Sequence, residues 1–378
     1  MKKNKIALCY PWLHLYGGGE VFCEYTANTL SKKFDIDIYY YSLDKKIHKK
    51  LKFKKNINLI SVKSKNYILH FFCSKFMIFA QTFLINDFNK RAIINYKFMF
   101  SLGGEFFSKI KTYQYLHICI YSLNIFEYKN FGLTKIYKKI ARFLVVLFCR
   151  FLLEINNKKF FNTVTFSNSK WSLKRAKKTY IIKKHKVFYP CFKIPKLLNN
   201  SFYNFEKRKN NFVILGRVSS DKNIIDGIRL FNEIKNDIKN SHLHIIGPID
   251  DKYFLKIQKL NNLKSITFHG LVSLKKRDQI LKNCKYGLSF FYSEHFGRNV
   301  LEMQKLGLIA FARKRGGVKE LLFDKHQKYE NYEDLIVKIK KINFHKELRK
   351  KIYNKNLIRL KKEFTSEKFD YELLKNLN

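Results

Sequence analysis

Acid is scarce in this chain. Its 378 residues hold 29 Asp and Glu against 76 Lys and Arg, a formal net charge of +47. Proline (4) and glycine (15) are also few, which excludes collagen-like and low-complexity designs. The cysteines (Cys9, Cys23, Cys73, Cys119, Cys149, Cys191 and Cys284) are scattered and odd in number, and no CxxC pair occurs. A disulfide framework or a zinc site is therefore not expected, and a reducing cytoplasm fits. Long apolar runs are missing. Tyr67–Ile85 is broken by His70 and Lys75, and Phe143–Leu153 contains Arg150. A membrane span needs about 20 mostly uncharged residues. Both stretches read as packed helices or as interfacial helices flanked by Lys135, Lys138, Lys139, Lys158 and Lys159. The basic head and short run Ile6–Tyr10 form a first buried strand rather than a signal peptide.

Core material, by contrast, is ample. Hydrophobic residues make up 46%, with 37 Phe and 23 Tyr, which excludes a disordered polycation. The length favours two domains. The charge has three candidate sources: codon composition, since Lys, Asn, Ile, Phe and Tyr all have AT-rich codons; an anionic membrane surface; and nucleic acid. Residues 1–192 carry 36 basic and 9 acidic residues, a surplus of 27. Only 13 of the 76 cations are Arg, the side chain that base and phosphate readers prefer. Nucleic acid is accordingly the weakest of the three.

Strand and helix patterns alternate along the chain. Ile6–Tyr10 reads as a strand, followed by Gly17-Gly18-Gly19, a helix Glu20–Lys33 and a strand Asp35–Tyr41. Further strands are expected at Asn58–Val62, Phe98–Leu102, Tyr115–Ile120, Thr163–Ser167 and Val187–Tyr189, with a helix at Lys170–Lys178. A second series starts at Phe212–Leu215 and runs through strands at His242–Ile246, Ser265–His269, Tyr286–Phe290 and Leu308–Phe311. The expected class is α/β, with two Rossmann-like, doubly wound domains facing across a cleft. The boundaries read 1–192, a linker at 193–210, 211–355, and a C-terminal helix in 356–378 crossing back to the first domain.

Four strings and one histidine carry the chemistry. Gly17-Gly18-Gly19-Glu20 lets backbone amides approach an anion at a helix start, or is simply a tight turn. In LGRVSSDKN, Arg217 offers a fork and Lys222 a point charge, a pair suited to a diphosphate. In SEHFGRNVLE, Glu294 and Glu302 flank a strand-to-helix turn, two helical turns apart on roughly one side. The amides of Phe296, Gly297 and Arg298 at that helix start are placed to meet an anion. Carboxylates suit sugar hydroxyls because they accept directed hydrogen bonds. The Gly316-Gly317 pair follows a strand beside Arg313 and Arg315, and His117 lies in a strand-like segment.

Together these strings resemble the retaining, nucleotide-sugar-dependent glycosyltransferases of family four, with the GT-B fold and an E-x7-E element. EHFGRNVLE, with GLIAF and GGVKE after it, is most similar to the lipid-linked-oligosaccharide α-1,2-mannosyltransferases. QYLHICIYS, TFSNSKWS and VFYPC point the same way. The resemblance implies that Arg217 and Lys222 hold a donor diphosphate. It implies that Glu302 holds the ribose, and that Glu294 holds the sugar beside Phe296 and Gly297. Arg298, Gly316 and Gly317 would line the donor site, His117 would face the reacting centre, and Gly18 and Gly19 would let a loop close. No metal or cofactor is implied beyond a nucleotide sugar, GDP-mannose favoured. The acceptor would be a glycan or a lipid-phosphate-linked glycan at the inner membrane face. Two departures stand out: the loop after Glu320 lacks the family's glycine, and Arg298 replaces a residue often small or aliphatic. The competing readings are a basic nucleic-acid binder and a GT-B-like subunit without activity.

Overall fold

A computed structural model describes residues 4–14, 18–44, 49–91, 96–124, 136–155, 163–191, 201–260, 263–292 and 294–377. Gly17, Ser293, Lys135, Lys158 and Lys159 lie outside the described residues. The chain forms two compact units. One holds residues 1–192 and 367–378, the other residues 193–366.

The first unit is built on a seven-stranded sheet, all of whose described pairings are parallel. Its strands are β1 (Asn4–Cys9), β2 (Phe34–Tyr40), β3 (Ile57–Ser61), β4 (Met99–Ser101), β5 (Thr112–Leu116), β6 (Thr163–Ser167) and β7 (Lys184–Val187). Their order is β3-β2-β1-β4-β5-β6-β7. β1 shows why both faces must be covered. Ile6 and Leu8 point into one core cluster and Ala7 and Cys9 into another, all four fully buried. That is the continuous apolar run of a parallel strand.

Helix α1 (Gly18–Leu30) lies on one face, burying Phe22, Cys23, Ala27 and Leu30. On the other face are α2 (Tyr67–Lys75), α3 (Met77–Arg91), α4 (Ile136–Leu152) and α5 (Lys170–Thr179), sharing one cluster through Cys73, Leu84, Val146, Cys149 and Ala176. The expected strand at 115–120 is shorter: β5 ends at Leu116, so His117 sits just beyond it. All seven cysteines are buried free thiols.

The second unit has a six-stranded sheet whose described pairings are again parallel. Its strands are β8 (Lys209–Leu215), β9 (Leu243–Ile246), β10 (Ile266–Gly270), β11 (Cys284–Ser289), β12 (Ile309–Arg313) and β13 (Lys328–Tyr329), in the order β10-β9-β8-β11-β12-β13. Residues expected to be irregular linker contain the short helix α6 (Phe202–Glu206) and the start of β8. Phe205 and a bidentate Glu206–Arg349 pair anchor this segment: Phe205 is fully buried, and Arg349 donates to both carboxylate oxygens at 2.7 and 2.8 Å.

The helices of this unit are α7 (Ile224–Ile234), α8 (Asp251–Gln258), α9 (Leu274–Lys282), α10 (Arg298–Lys305), α11 (Tyr332–Phe344) and α12 (Lys346–Glu363). The last helix, α13 (Ser366–Lys375), packs in the first unit. Phe369 lies 6.0 Å from Phe22, Asp370 accepts from Tyr25 at 3.1 Å and Glu372 pairs with Lys186 at 2.5 Å.

Candidate active site

The order of the second sheet reverses beside β8. The chain goes from β8 to β9 on one side and later returns to β11 on the other. Parallel sheets bind ligands at the carboxyl ends of strands where such a reversal occurs. Two asparagines, not singled out in the sequence, stitch this point together. Asn299 on α10 donates to the Leu215 carbonyl at the end of β8, at 2.8 Å. Asn223, in left-handed backbone at φ +50°, donates to the Phe290 carbonyl just past β11, at 3.1 Å. The loop carrying Arg217 and Lys222 is thereby fixed beside the loop carrying Glu294.

Lys222 reaches across, its Nζ 3.4 Å from Glu294 Oε2 and 3.9 Å from the centre of the Phe291 ring. Arg217 stays largely exposed and pairs only loosely with Asp221, at 3.6 Å. Glu294 is held through its main chain. Its carbonyl accepts the Gly317 amide at 2.7 Å, and a Cβ on Gly316 would lie 2.2 Å from that oxygen. Gly316 also needs φ +79°, a conformation costly for any other residue. On the other flank, a Cβ on Gly297 (φ +95°) would lie 2.6 Å from Val318. Of the glycines expected to line a donor site, Gly316 and Gly317 thus clasp the Glu294 backbone. Phe296 is buried.

Glu302 lies within α10 and is buried. Arg298 Nε donates to its Oε1 at 2.9 Å and Arg277 Nη1 to its Oε2 at 3.0 Å. Arg298, a departure from the family pattern, therefore serves the carboxylate one turn on. Arg277 was missed because it lies 25 residues upstream, on α9, in no recognisable string. Each carboxylate oxygen keeps a second acceptor position for a ligand hydroxyl.

In the first unit, a chain of contacts holds His117. Asn168 Nδ2 lies 3.2 Å from its Nδ1, so Nδ1 accepts and the proton sits on Nε2. Nε2 is buried with no partner among the described residues. Phe22 and Tyr115 rings flank the imidazole at 4.9 and 5.0 Å. Burial lowers its pKa to about 4, so it is neutral at physiological pH. Ser169 caps α5 by accepting from the Ser172 amide, and Ser172 Oγ reaches the His117 carbonyl at 3.4 Å. The TFSNSKWS string thus braces the histidine.

The segment beyond His117 is held by Glu105, fully buried and unmarked in the sequence. Its carboxylate accepts the amides of Ile120 and Tyr121 at 2.8 and 3.2 Å and the Tyr180 hydroxyl at 2.9 Å. Gly18 and Gly19 open α1, and a Cβ on Gly19 would collide with the Tyr10 hydroxyl at 2.0 Å. Among the described residues no cluster of His, Cys, Asp or Glu is arranged to hold a metal.

Residues 198–357 match the family described as glycosyl transferases group 1. A curated relative is the GDP-Man:Man(3)GlcNAc(2)-PP-Dol alpha-1,2-mannosyltransferase of Candida glabrata. It is 26% identical over 171 residues, 42% of this chain and 34% of that protein. The chain therefore spans about a third of the length of the curated relative it matches. Among solved structures, HepE of Anabaena in complex with UDP and glucose is similar with a TM-score of 0.68 at 15% identity, covering 99% of both chains. WaaG, a glycosyltransferase involved in lipopolysaccharide biosynthesis, is similar with 0.68 at 14% identity, over 97% of this chain and 99% of that one. A glycosyltransferase from Rickettsia africae reaches 0.63 at 18% identity, over 100% of both. These likenesses establish the GT-B fold. Residues 198–357 thus form a glycosyl transferases group 1 domain, within a chain whose fold is similar along its length to that of GT-B glycosyltransferases.

Proposed function

We propose that the protein transfers a hexose, mannose favoured, with retention, from a nucleoside-diphosphate sugar to a glycan or lipid-linked acceptor. The observation that carries this reading is the clasped Glu294 beside Lys222, with Glu302 on the helix that follows. In this reading Arg217 and Lys222 bind the donor diphosphate and stabilise the charge that develops as it leaves, in place of a metal. Glu302, oriented by Arg277 and Arg298, accepts from the ribose hydroxyls. Glu294 accepts from the donor sugar. The neutral His117 donates from Nε2 to a sugar oxygen. Gly18 and Gly19 permit close approach of the first loop. The mannosyltransferase relative supports GDP-mannose; the UDP and UDP-glucose complexes of HepE support a uridine donor of the same class.

The same reading places the enzyme on an anionic membrane. No helix among the described residues is long and apolar enough to span a bilayer. Two helices nevertheless expose apolar faces. On α4 these are Ile136, Tyr137, Ile140, Leu144, Leu147, Phe148 and Phe151, and on α2 Tyr67, Ile68, Phe71 and Phe72. Lys138 and Lys139 on α4 and Lys75 on α2 add cations to these same helices. Apolar area beside lysine is the composition that binds anionic leaflets.

The test is donor binding and hydrolysis across GDP-mannose, UDP-glucose, UDP-galactose and UDP-N-acetylglucosamine. One donor is expected to bind and to lose affinity in Glu302→Gln. Failure of all four, with tight salt-sensitive DNA binding instead, would overturn the reading.

A further inference from the structure

At the edge of the second unit, at the carboxyl ends of β12 and β13, lies a cavity of about 490 Å³ lined by Tyr292, Arg313, Lys314, Arg315, Tyr329 and Glu330. Three cations meet one carboxylate there, and that carboxylate is taken, because Glu330 pairs with Lys314 at 2.9 Å. Arg313 and Arg315 have no carboxylate partner among the described residues. Arg313 donates only to neutral oxygens, the Glu330 carbonyl at 3.3 Å and the Tyr332 hydroxyl at 3.0 Å. Its Nε is buried with no partner among the described residues. Its guanidinium lies 5.8, 5.5 and 5.2 Å from the ring centres of Tyr292, Tyr329 and Tyr332. Arg315 lies over Tyr292 at 4.9 Å and donates to its hydroxyl.

The nearest carboxylate to Arg313 beyond Glu330 is reached only through the Tyr332 hydroxyl, which donates to Asp226 at 2.6 Å, and Arg315 has no such relay, so both guanidiniums keep donors for an anion from outside. Arginine is also the rarer cation here, 13 of 76, so two in one cavity are not the chain's default choice. Aromatic faces beside a fork suit a flat or ring-shaped ligand bearing a planar or tetrahedral anion. The cavity is lined by residues next in sequence to the clasp: Tyr292 is two residues before Glu294, and Arg315 precedes the Gly316-Gly317 pair that holds the Glu294 main chain. Its volume falls within the range of small-molecule sites.

We propose that this cavity is a subsite for an anionic sugar, one bearing a phosphoester or a carboxylate, held by Arg313 and Arg315. The sugar part rests on the functional reading of Glu294; the anion part does not. The test uses the full chain and calorimetric titration with inorganic phosphate, glucose 6-phosphate, glucuronate and methyl glucoside. At least one anionic sugar is expected to bind tenfold or more tighter than methyl glucoside. Whichever binds identifies phosphoester or carboxylate. Arg313→Gln is expected to weaken that binding tenfold and to leave UDP binding unchanged. Arg315→Gln, at an exposed position, is expected to weaken it with an unchanged melting temperature, so a folding defect in the first variant cannot decide the result. Phosphate binding that is lost in both variants, without either anionic sugar, would overturn the sugar assignment alone. Equal binding of neutral and anionic sugars, or affinities unmoved by both variants, would overturn the subsite.

Discussion

The carbonyl of Glu294 accepts the amide of Gly317 at 2.7 Å, and Gly316 packs against the same oxygen with no room for a side chain. A carboxylate proposed to handle a sugar is thus positioned by its main chain, from a loop more than twenty residues on. Gly316→Ala is expected to displace Glu294. Donor turnover should fall at least tenfold, at a stability cost of about 1–3 kcal/mol from the strained backbone. Turnover at the parental rate would separate the clasp from the chemistry.

Glu302 answers to two guanidiniums, so its neighbours should matter as much as itself. Arg277→Met is expected to cost about 2 kcal/mol of stability, less than stripping a buried carboxylate of every partner because Arg298 remains on Glu302. It should also weaken nucleotide binding. Combining it with Glu302→Gln in urea titrations should give a total clearly smaller than the sum of the single effects. Simple additivity would show that the pair does not act as a unit.

Lys222 and Arg217 differ in how they are held, and their variants should differ accordingly. Arg217→Met removes an exposed cation and should leave the melting temperature unchanged while weakening donor binding about tenfold, or about 1.4 kcal/mol. Lys222→Met removes the cation facing Glu294 and Phe291 and should lose at least as much affinity. Both losses should shrink as salt is raised. Donor affinity insensitive to both variants would remove the diphosphate assignment.

Burial lowers the pKa of His14, His117, His242, His244 and His269, and the two shifted furthest, His117 and His244, set an acid limit. Burial lowers the pKa of His117 to about 4; burial, with His242 and His269 nearby, does the same to His244. Between the ordinary value near 6.5 and about 4, the unfolded chain takes up protons that these folded sites refuse, so stability falls as pH falls through that window. Above it they contribute no pH dependence. The urea midpoint is expected to drop from pH 6.5 to 4, and a His117→Asn/His244→Asn variant to drop less steeply. Equal slopes would refute the assignment.

How much was legible in advance depends on the range of the interaction. The β1 run and the alternation of strands with helices were readable because a parallel strand must be apolar on both faces. The E-x7-E string stood out because both carboxylates belong to one strand–turn–helix segment. His117 was misplaced by one step: QYLHICIYS is apolar on both sides of the histidine, and only pairing with β6 shows that the strand stops at Leu116. Glu105 carried no local signal at all, since its amide partners lie 15 and 16 residues away.

The sequence by itself determined the charge surplus, the two parallel sheets, the strings at the strand ends and the family resemblance, because each depends on composition or on neighbours along the chain. Which cations keep a partner was decided only by tertiary structure. Arg298 is spent on Glu302, Arg277 on Glu302 and Asp278, and Arg349 on Glu206, whereas Arg313 and Arg315 pair directly with no carboxylate among the described residues. A charge is neutralised by whatever folding brings within a few ångströms, and that distance is not written in sequence separation.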